Sequence, residues 1–129
     1  YKTIGDAGIE YLEEMVSKNT KVSIPSFLNP SGMDREQWKK MGVPESFSKK
    51  QIKIMDLYSK LGVSKTYTCT PYFVGIRPKI REHIAWAESS AVSFANSVLG
   101  ARTNREGGPS ALASAVCRIT PYYELHIDK

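Results

Sequence analysis

Glu88 to Ser110, ESSAVSFANSVLGARTNREGGPS, is the stretch whose reading decides the fold. It opens on a carboxylate and two hydroxyls, passes into an apolar-periodic run and leaves through a glycine-punctuated polar loop. Ala91, Phe94, Ala95 and Val98 recur at i, i+3, i+4 and i+7, the spacing of one buried helix face. Ser89 or Ser90 is the expected N-cap, because a serine oxygen accepts from the free amides of a first turn. Gly100 falls where a helix closes in a left-handed residue. Immediately upstream, His83 to Ala87 reads as a short strand with Ile84, Ala85 and Trp86 as its apolar members. Glu88 and Ser89 then stand between the carboxyl end of a strand and the amino end of a helix, where α/β folds bind their ligands.

The loop beyond Gly100, Ala101 to Gly108, carries Arg102, Asn104, Arg105 and two glycines, with no apolar anchor beyond Ala101. Pro109 suits a first helical position and Gly108 can cap that helix. Free amides there, with Arg102 and Arg105 nearby, suit a phosphate or carboxylate. The same composition equally describes a solvated turn, and the residues alone leave both readings open.

Upstream, Asp6 is placed to cap a first helix with Ile9, Leu12 and Val16 on its buried stripe and Glu13 and Glu14 outward. Val22, Ile24 and Phe27 alternate as a short strand that Pro25 confines to an edge. Asn29-Pro30-Ser31-Gly32 is a turn by composition. Asp34 caps a short helix through Trp38, closed by Gly42 with Pro44 beyond. Ser48 and Gln51 have the form of a capping box, starting a helix with Ile54, Leu57, Tyr58 and Leu61 on one face. Thr66 to Cys69 is rich in strand formers and stops at Pro71. Downstream, a helix near Ala111 to Val116 precedes a last strand, Tyr122 to Ile127. This alternation predicts an α/β fold, a largely parallel sheet with flanking helices, in a single domain or domain fragment over 1–129. In such a sheet Asn29, Cys69 and Glu88, each just past a predicted strand, would converge on one crevice.

The run AESSAVSFANSVLGARTNREGGPSAL, with TCTPY upstream and TPYYELH downstream, resembles the aconitase X family. The resemblance covers nearly the whole chain from YKTIGDAGIEYLE onward, with several separated motifs in the expected order. It implies an aconitase-like fold and an iron–sulfur hydro-lyase of the isoprenoid (mevalonate) pathway that dehydrates a small phosphorylated hydroxy acid. The reaction implied is (R)-5-phosphomevalonate to trans-anhydromevalonate 5-phosphate, although relatives dehydrate hydroxyproline instead. It also implies a cluster, 4Fe-4S by expectation, whose further ligands lie outside this chain, and a small-subunit partner that carries a catalytic serine. TCTPY matches the motif holding a cluster cysteine, which makes Cys69 the expected metal ligand. Asn29, Pro30, Glu88 and Ser89 match substrate-contacting positions, and Arg102 is a further candidate as an anion clamp. No catalytic residue is assigned. Because family members are several times longer, the chain is expected to be an interior piece of a large subunit, inactive by itself.

The remaining residues carry blander readings. A lone cysteine is most often a small buried hydrophobe, and Cys117, on a predicted buried helix face, is read that way. His83 and His126 fall in different predicted strands without metal-ligand spacing and are read as structural. Trp38 and Trp86 are read as core.

At 129 residues with 41% hydrophobic and 24% charged residues, a globular piece with a real core is expected. Its +5 net charge is spread along the chain, which argues against a nucleic-acid face. No apolar run approaches the roughly 20 residues of a membrane span. Two cysteines without a repeating spacing do not make a secreted disulfide scaffold, so a cytoplasmic location is expected. The alternative from another class is a non-catalytic phosphate- or anion-binding module built on the Gly107-Gly108-Pro109-Ser110 helix start.

Overall fold

A computed structural model describes residues 4–128, and the chain divides into two compact units, Tyr1–Tyr67 and Thr68–Lys129. Among the described residues there are four α-helices and no strand: α1 (Gly5–Ser17), α2 (Glu45–Lys60), α3 (Ser89–Phe94) and α4 (Gly108–Cys117). The expected parallel sheet with flanking helices is therefore overturned. Extended segments do run parallel, but they meet only at isolated bridges, Phe27 with Ser64, His83 with Arg102 and Trp86 with Arg105.

In the first unit α1 packs on α2. Ile9 and Leu12 of α1 are buried as their spacing predicts, and Ile54, Leu57 and Leu61 line the buried side of α2. A second cluster of Leu28, Met33, Met55 and Val63 is flanked by Trp38, Phe47 and Tyr58, so the core reading of Trp38 stands. Lys50–Asp6 (2.7 Å) and Lys53–Glu13 (2.6 Å) join the two helices at the surface, where such pairs contribute little.

Helix starts differ from expectation. Ile4 rather than Asp6 stands at the N-cap of α1, leaving Asp6 in the first turn. The helix α2 begins three residues before Ser48, with Pro44 at its N-cap. Ser48 and Gln51 are thus interior residues and almost fully buried. Gln51 caps no helix; its Oε1 accepts from the Gly32 amide at 3.0 Å and pins the 29–33 turn to α2. Asp34 caps as expected, Oδ1 accepting from Gln37 N at 2.6 Å and Glu36 N at 2.8 Å. Residues 35–42 beyond it form a run of turns rather than a regular helix, closed by Gly42 at φ +70°.

The predicted strands fail for local reasons. Val22–Phe27 pairs with 61–64 through single hydrogen bonds, Ser64 N to Ser26 O (2.8 Å) and Leu28 N to Ser64 O (2.9 Å), and Pro25 has no amide to extend them. In 66–69, Tyr67 takes φ +50° and Thr68 Oγ1 turns back to accept from Thr70 N at 3.0 Å. Tyr122–Ile127 coils into a 3-10 turn, Glu124–His126.

The 82–87 segment comes nearest to a strand. Arg102 N donates to Glu82 O (2.8 Å), Ile84 N to Arg102 O (3.0 Å) and Glu106 N to Trp86 O (2.9 Å). Between these rungs the Thr103 hydroxyl intervenes, accepting from Trp86 N at 3.1 Å and donating to Asn104 O at 2.7 Å. A side chain has replaced the middle rung, so the ladder does not propagate.

Candidate functional site

The TCTPY motif opens the second unit. Pro71 starts a 3-10 turn, Pro71–Val74, that Gly75 closes at φ +85°. Tyr72 is buried and stacks on Phe94 of α3, ring centroids 3.9 Å apart and planes within 11°. Arg77 Nε donates to Tyr72 O at 3.1 Å and Phe73 N to Thr70 O at 3.0 Å. The bend carrying Cys69 is thereby tied to α3, and Cys69 itself is a free, exposed thiol.

Glu88, in extended geometry, occupies the N-cap of α3, so Ser89 is the first helical residue and neither Ser89 nor Ser90 is the cap. No side chain caps this helix. Ala91 and Ala95 are buried as their period requires, but Val98 is 65% exposed. The cause is a change of pitch: after Phe94 the chain continues as a π-turn, Ala95–Leu99. Asn96 Nδ2 donates to the Val92 carbonyl at 2.9 Å, the acceptor an α-helical amide at that residue would use. The wider turn rotates Val98 off the stripe. Gly100 closes the element at φ +69°, as its position in the sequence predicts.

The 101–106 loop is no solvated turn. Thr103 and Asn104 are 0% and 4% exposed. Asn96 grips Thr103 from both sides, Nδ2 donating to Thr103 O at 2.8 Å and Oδ1 accepting from Thr103 N at 3.2 Å. Asn104 in turn holds the tail, Nδ2 donating to Tyr123 O at 3.2 Å and Oδ1 accepting from Leu125 N at 3.0 Å. Arg102 is half-buried and paired with the Asp128 carboxylate.

Gly107 rather than Gly108 is the N-cap of α4, which shifts Pro109 one residue into the helix. Ser110 Oγ donates to Glu106 Oε2 at 2.7 Å, so a carboxylate already stands at this helix start. That disfavours a second anion there, because the positive helix end is already compensated. Cys117 ends α4 and is exposed, while the buried face is Leu112, Ser114 and Ala115; its reading as a core residue is wrong.

Two residues read separately in the sequence come together. His83 Nδ1 lies 2.8 Å from His126 Nδ1, with the rings near-parallel at 14° and centroids 5.1 Å apart. His126 is 1% exposed. Burial first, and the neighbouring His83 second, push its pKa below the ordinary histidine value, against an upward pull from Glu106. Nothing in the spacing of 83 and 126 announces this pair; it arises from the folding of the tail onto the loop.

Asn29 and Pro30 belong to the first unit, Asn29 half-buried and Pro30 exposed. The strand ends that were to gather Asn29, Cys69 and Glu88 do not exist among the described residues. Nor does any group of three or more His, Cys, Asp or Glu side chains there gather as a metal site. No described helix is long and apolar enough to cross a membrane.

A family model described as the aconitase X first domain matches residues 1–129. The chain is 56% identical to the phosphomevalonate dehydratase large subunit of Methanothermobacter thermautotrophicus, over 100% of this chain and 32% of that protein. It is 38% identical to cis-3-hydroxy-L-proline dehydratase of Hypocrea jecorina, over 96% of this chain and 21% of that protein. A crystal structure of Thermococcus kodakaraensis aconitase X in its holo-form superposes with a TM-score of 0.86 at 53% identity, covering 99% of this chain and 31% of that one. The chain thus spans about a third of the length of the first of these relatives. With the family model matched from end to end and the fold shared with a solved member, the chain belongs to the aconitase X family.

Proposed function

We propose that the chain is part of the large subunit of an iron–sulfur hydro-lyase that removes water from a small phosphorylated hydroxy acid, (R)-5-phosphomevalonate, giving trans-anhydromevalonate 5-phosphate on the mevalonate route to isoprenoids. The observation that carries the reading is the 56% identity over the whole chain with a phosphomevalonate dehydratase large subunit, against 38% with a hydroxyproline dehydratase. The partner is the small subunit that a large subunit's name implies.

The residues present fit one attachment point for the cluster. Cys69 is exposed, in no disulfide, and carried on a bend held by Thr68, Thr70 and the Tyr72–Phe94 stack. The chain holds two free thiols, Cys69 and Cys117, fewer than the three a cluster takes, so further ligands come from the rest of the subunit. When bound, the cluster supplies a Lewis-acidic iron that draws electron density from the departing hydroxyl. This chain's own part is binding and orientation. Ser89 offers a hydroxyl at the first residue of α3, and Glu88 a carboxylate beside it. Arg102 matches a planar anion, as its pairing with a carboxylate already displays. Asn29 and Pro30 are further proposed substrate contacts.

The test is the full-length two-subunit enzyme reconstituted without oxygen and offered phosphomevalonate and cis-3-hydroxy-L-proline in parallel. Dehydration of the first, with cluster absorbance lost in Cys69→Ser, is the expected result. Turnover of hydroxyproline alone would move the substrate, and a colourless protein that binds phosphate tightly would favour the anion-binding module.

A further inference from the structure

The tail after α4 is held to the 101–106 loop by the two Asn104 bonds and the Arg102–Asp128 pair, and to the neighbouring 82–87 segment by the contact between His126 and His83. The last differs from the others in chemistry. Two imidazole Nδ1 atoms 2.8 Å apart are bound only when one hydrogen lies between them, one nitrogen donating and the other accepting. With both rings charged, each Nδ1 carries a hydrogen, neither accepts, and two cations face each other.

The surroundings sharpen this. His126 Nε2 and Glu106 Oε1 are both buried without a hydrogen-bond partner among the described residues. His83 leads from the 82–87 segment into Glu88, Glu106 precedes α4, and the tail adds Glu124, Asp128 and Tyr122, whose ring centroid lies 6.2 Å from that of His83. The loop carries two cations, Arg102, held by Asp128, and Arg105, which is exposed.

We propose that the His83–His126 contact is a one-proton latch: with one proton between the rings it clamps the Glu124–His126 turn onto the 82–87 segment that pairs with the 101–106 loop, and charging of both rings releases it. His126 is then a positioning residue for Arg102 and for the segment entering Glu88. That last consequence rests on the proposed substrate contacts; the latch itself does not. Burial sets the sign. His126 folds in its neutral form, so the clamp is fully present above the ordinary histidine value of about 6.5 and is lost as pH falls through its lowered value.

The experiment is amide hydrogen exchange on the full-length two-subunit protein at pH 8 and pH 5, corrected for intrinsic exchange rates, with steady-state dehydration of phosphomevalonate alongside. The expected result is at least a tenfold loss of protection at 101–106 and 123–127 at the lower pH, with α1 unchanged, which separates local release from unfolding. His83→Phe keeps a stacking ring but removes the shared proton. It should show low protection at both pH values and a raised KM with kcat less affected. Equal protection at both pH values in the natural protein, or the natural pH step persisting in His83→Phe, overturns the latch. A step in the natural protein that is lost in His83→Phe, with the variant's KM unmoved, keeps the latch and removes Arg102 and Glu88 as the substrate contacts it positions.

Discussion

Cys69 and Cys117 carry the same thiol and share exposure, but their settings differ. Cys69 sits on a bend tied by two threonine hydroxyls and a stacked tyrosine, whereas Cys117 ends a helix whose buried face lies elsewhere. In the full-length enzyme Cys69→Ser is expected to abolish cluster absorbance and dehydration, and Cys117→Ala to leave both unchanged; visible spectra and turnover check it. Ser89 offers a cleaner separation of folding from function. It is exposed and makes no capping bond, so Ser89→Ala should change stability by less than about 0.5 kcal/mol, the usual range for surface substitutions. Turnover should nevertheless fall at least tenfold. A melt and a progress curve on one preparation decide it, and unchanged turnover would leave Ser89 without a role.

At the scale of elements, two polar side chains organise backbone that the expected sheet would have organised itself. Thr103 fills the gap between Trp86 N and Asn104 O from a fully buried position. Thr103→Val preserves its shape and strands both partners, at an expected cost of about 2 kcal/mol by denaturant unfolding. If the valine variant is as stable as the parent, the two segments can close into a true ladder and the hydroxyl is not what interrupts it. Asp34 plays the corresponding part at the 35–42 turns. Amides of Gln37 first and Glu36 second hold its carboxyl below the usual carboxylate range. Its contribution is therefore present above pH about 4 and lost as pH falls through the lowered value. Asp34→Asn keeps the acceptor without the titration, so its melting temperature should lack the acid-side decline attributable to this group; melts from about pH 2 to 6 test the difference.

For the whole molecule, the described residues make two compact units and gather no metal-binding group of three or more His, Cys, Asp or Glu side chains. The thiol proposed for the cluster, Cys69, could not by itself retain a cubane, because the remaining irons would lack thiolates. The 129-residue chain expressed by itself should be colourless and free of iron and acid-labile sulfide, whereas the complete two-subunit protein should be brown. Iron bound stoichiometrically by the isolated chain would contradict this. Large apolar side chains at Phe73, Ile80, Val98, Ile119 and Tyr122 are well exposed in the second unit.

Short-range chemistry decided what was legible in the sequence. The stripes of α1 and α2, the Asp34 cap and the left-handed Gly42 and Gly100 depend on residues within one or two turns, and each is found where the pattern places it. The family was legible for a different reason, since its motifs are specific residue strings in order. The sheet was not. Strand-like composition at 22–27, 66–69, 83–87 and 122–127 becomes a sheet only if partners extend the ladder, and proline, Thr68 and Thr103 each give the backbone a competing bond or remove one. The exposure of Val98 and of Cys117 likewise escaped a 3.6-residue period, because a single Asn96 bond changes the pitch and the helix end turns Cys117 outward. The pairing of His83 with His126 joins residues 43 apart in sequence, on a tail that Asn104 and Arg102 also hold. Contacts closed by side chains across such distances leave no period to read, so the tertiary structure alone decided them.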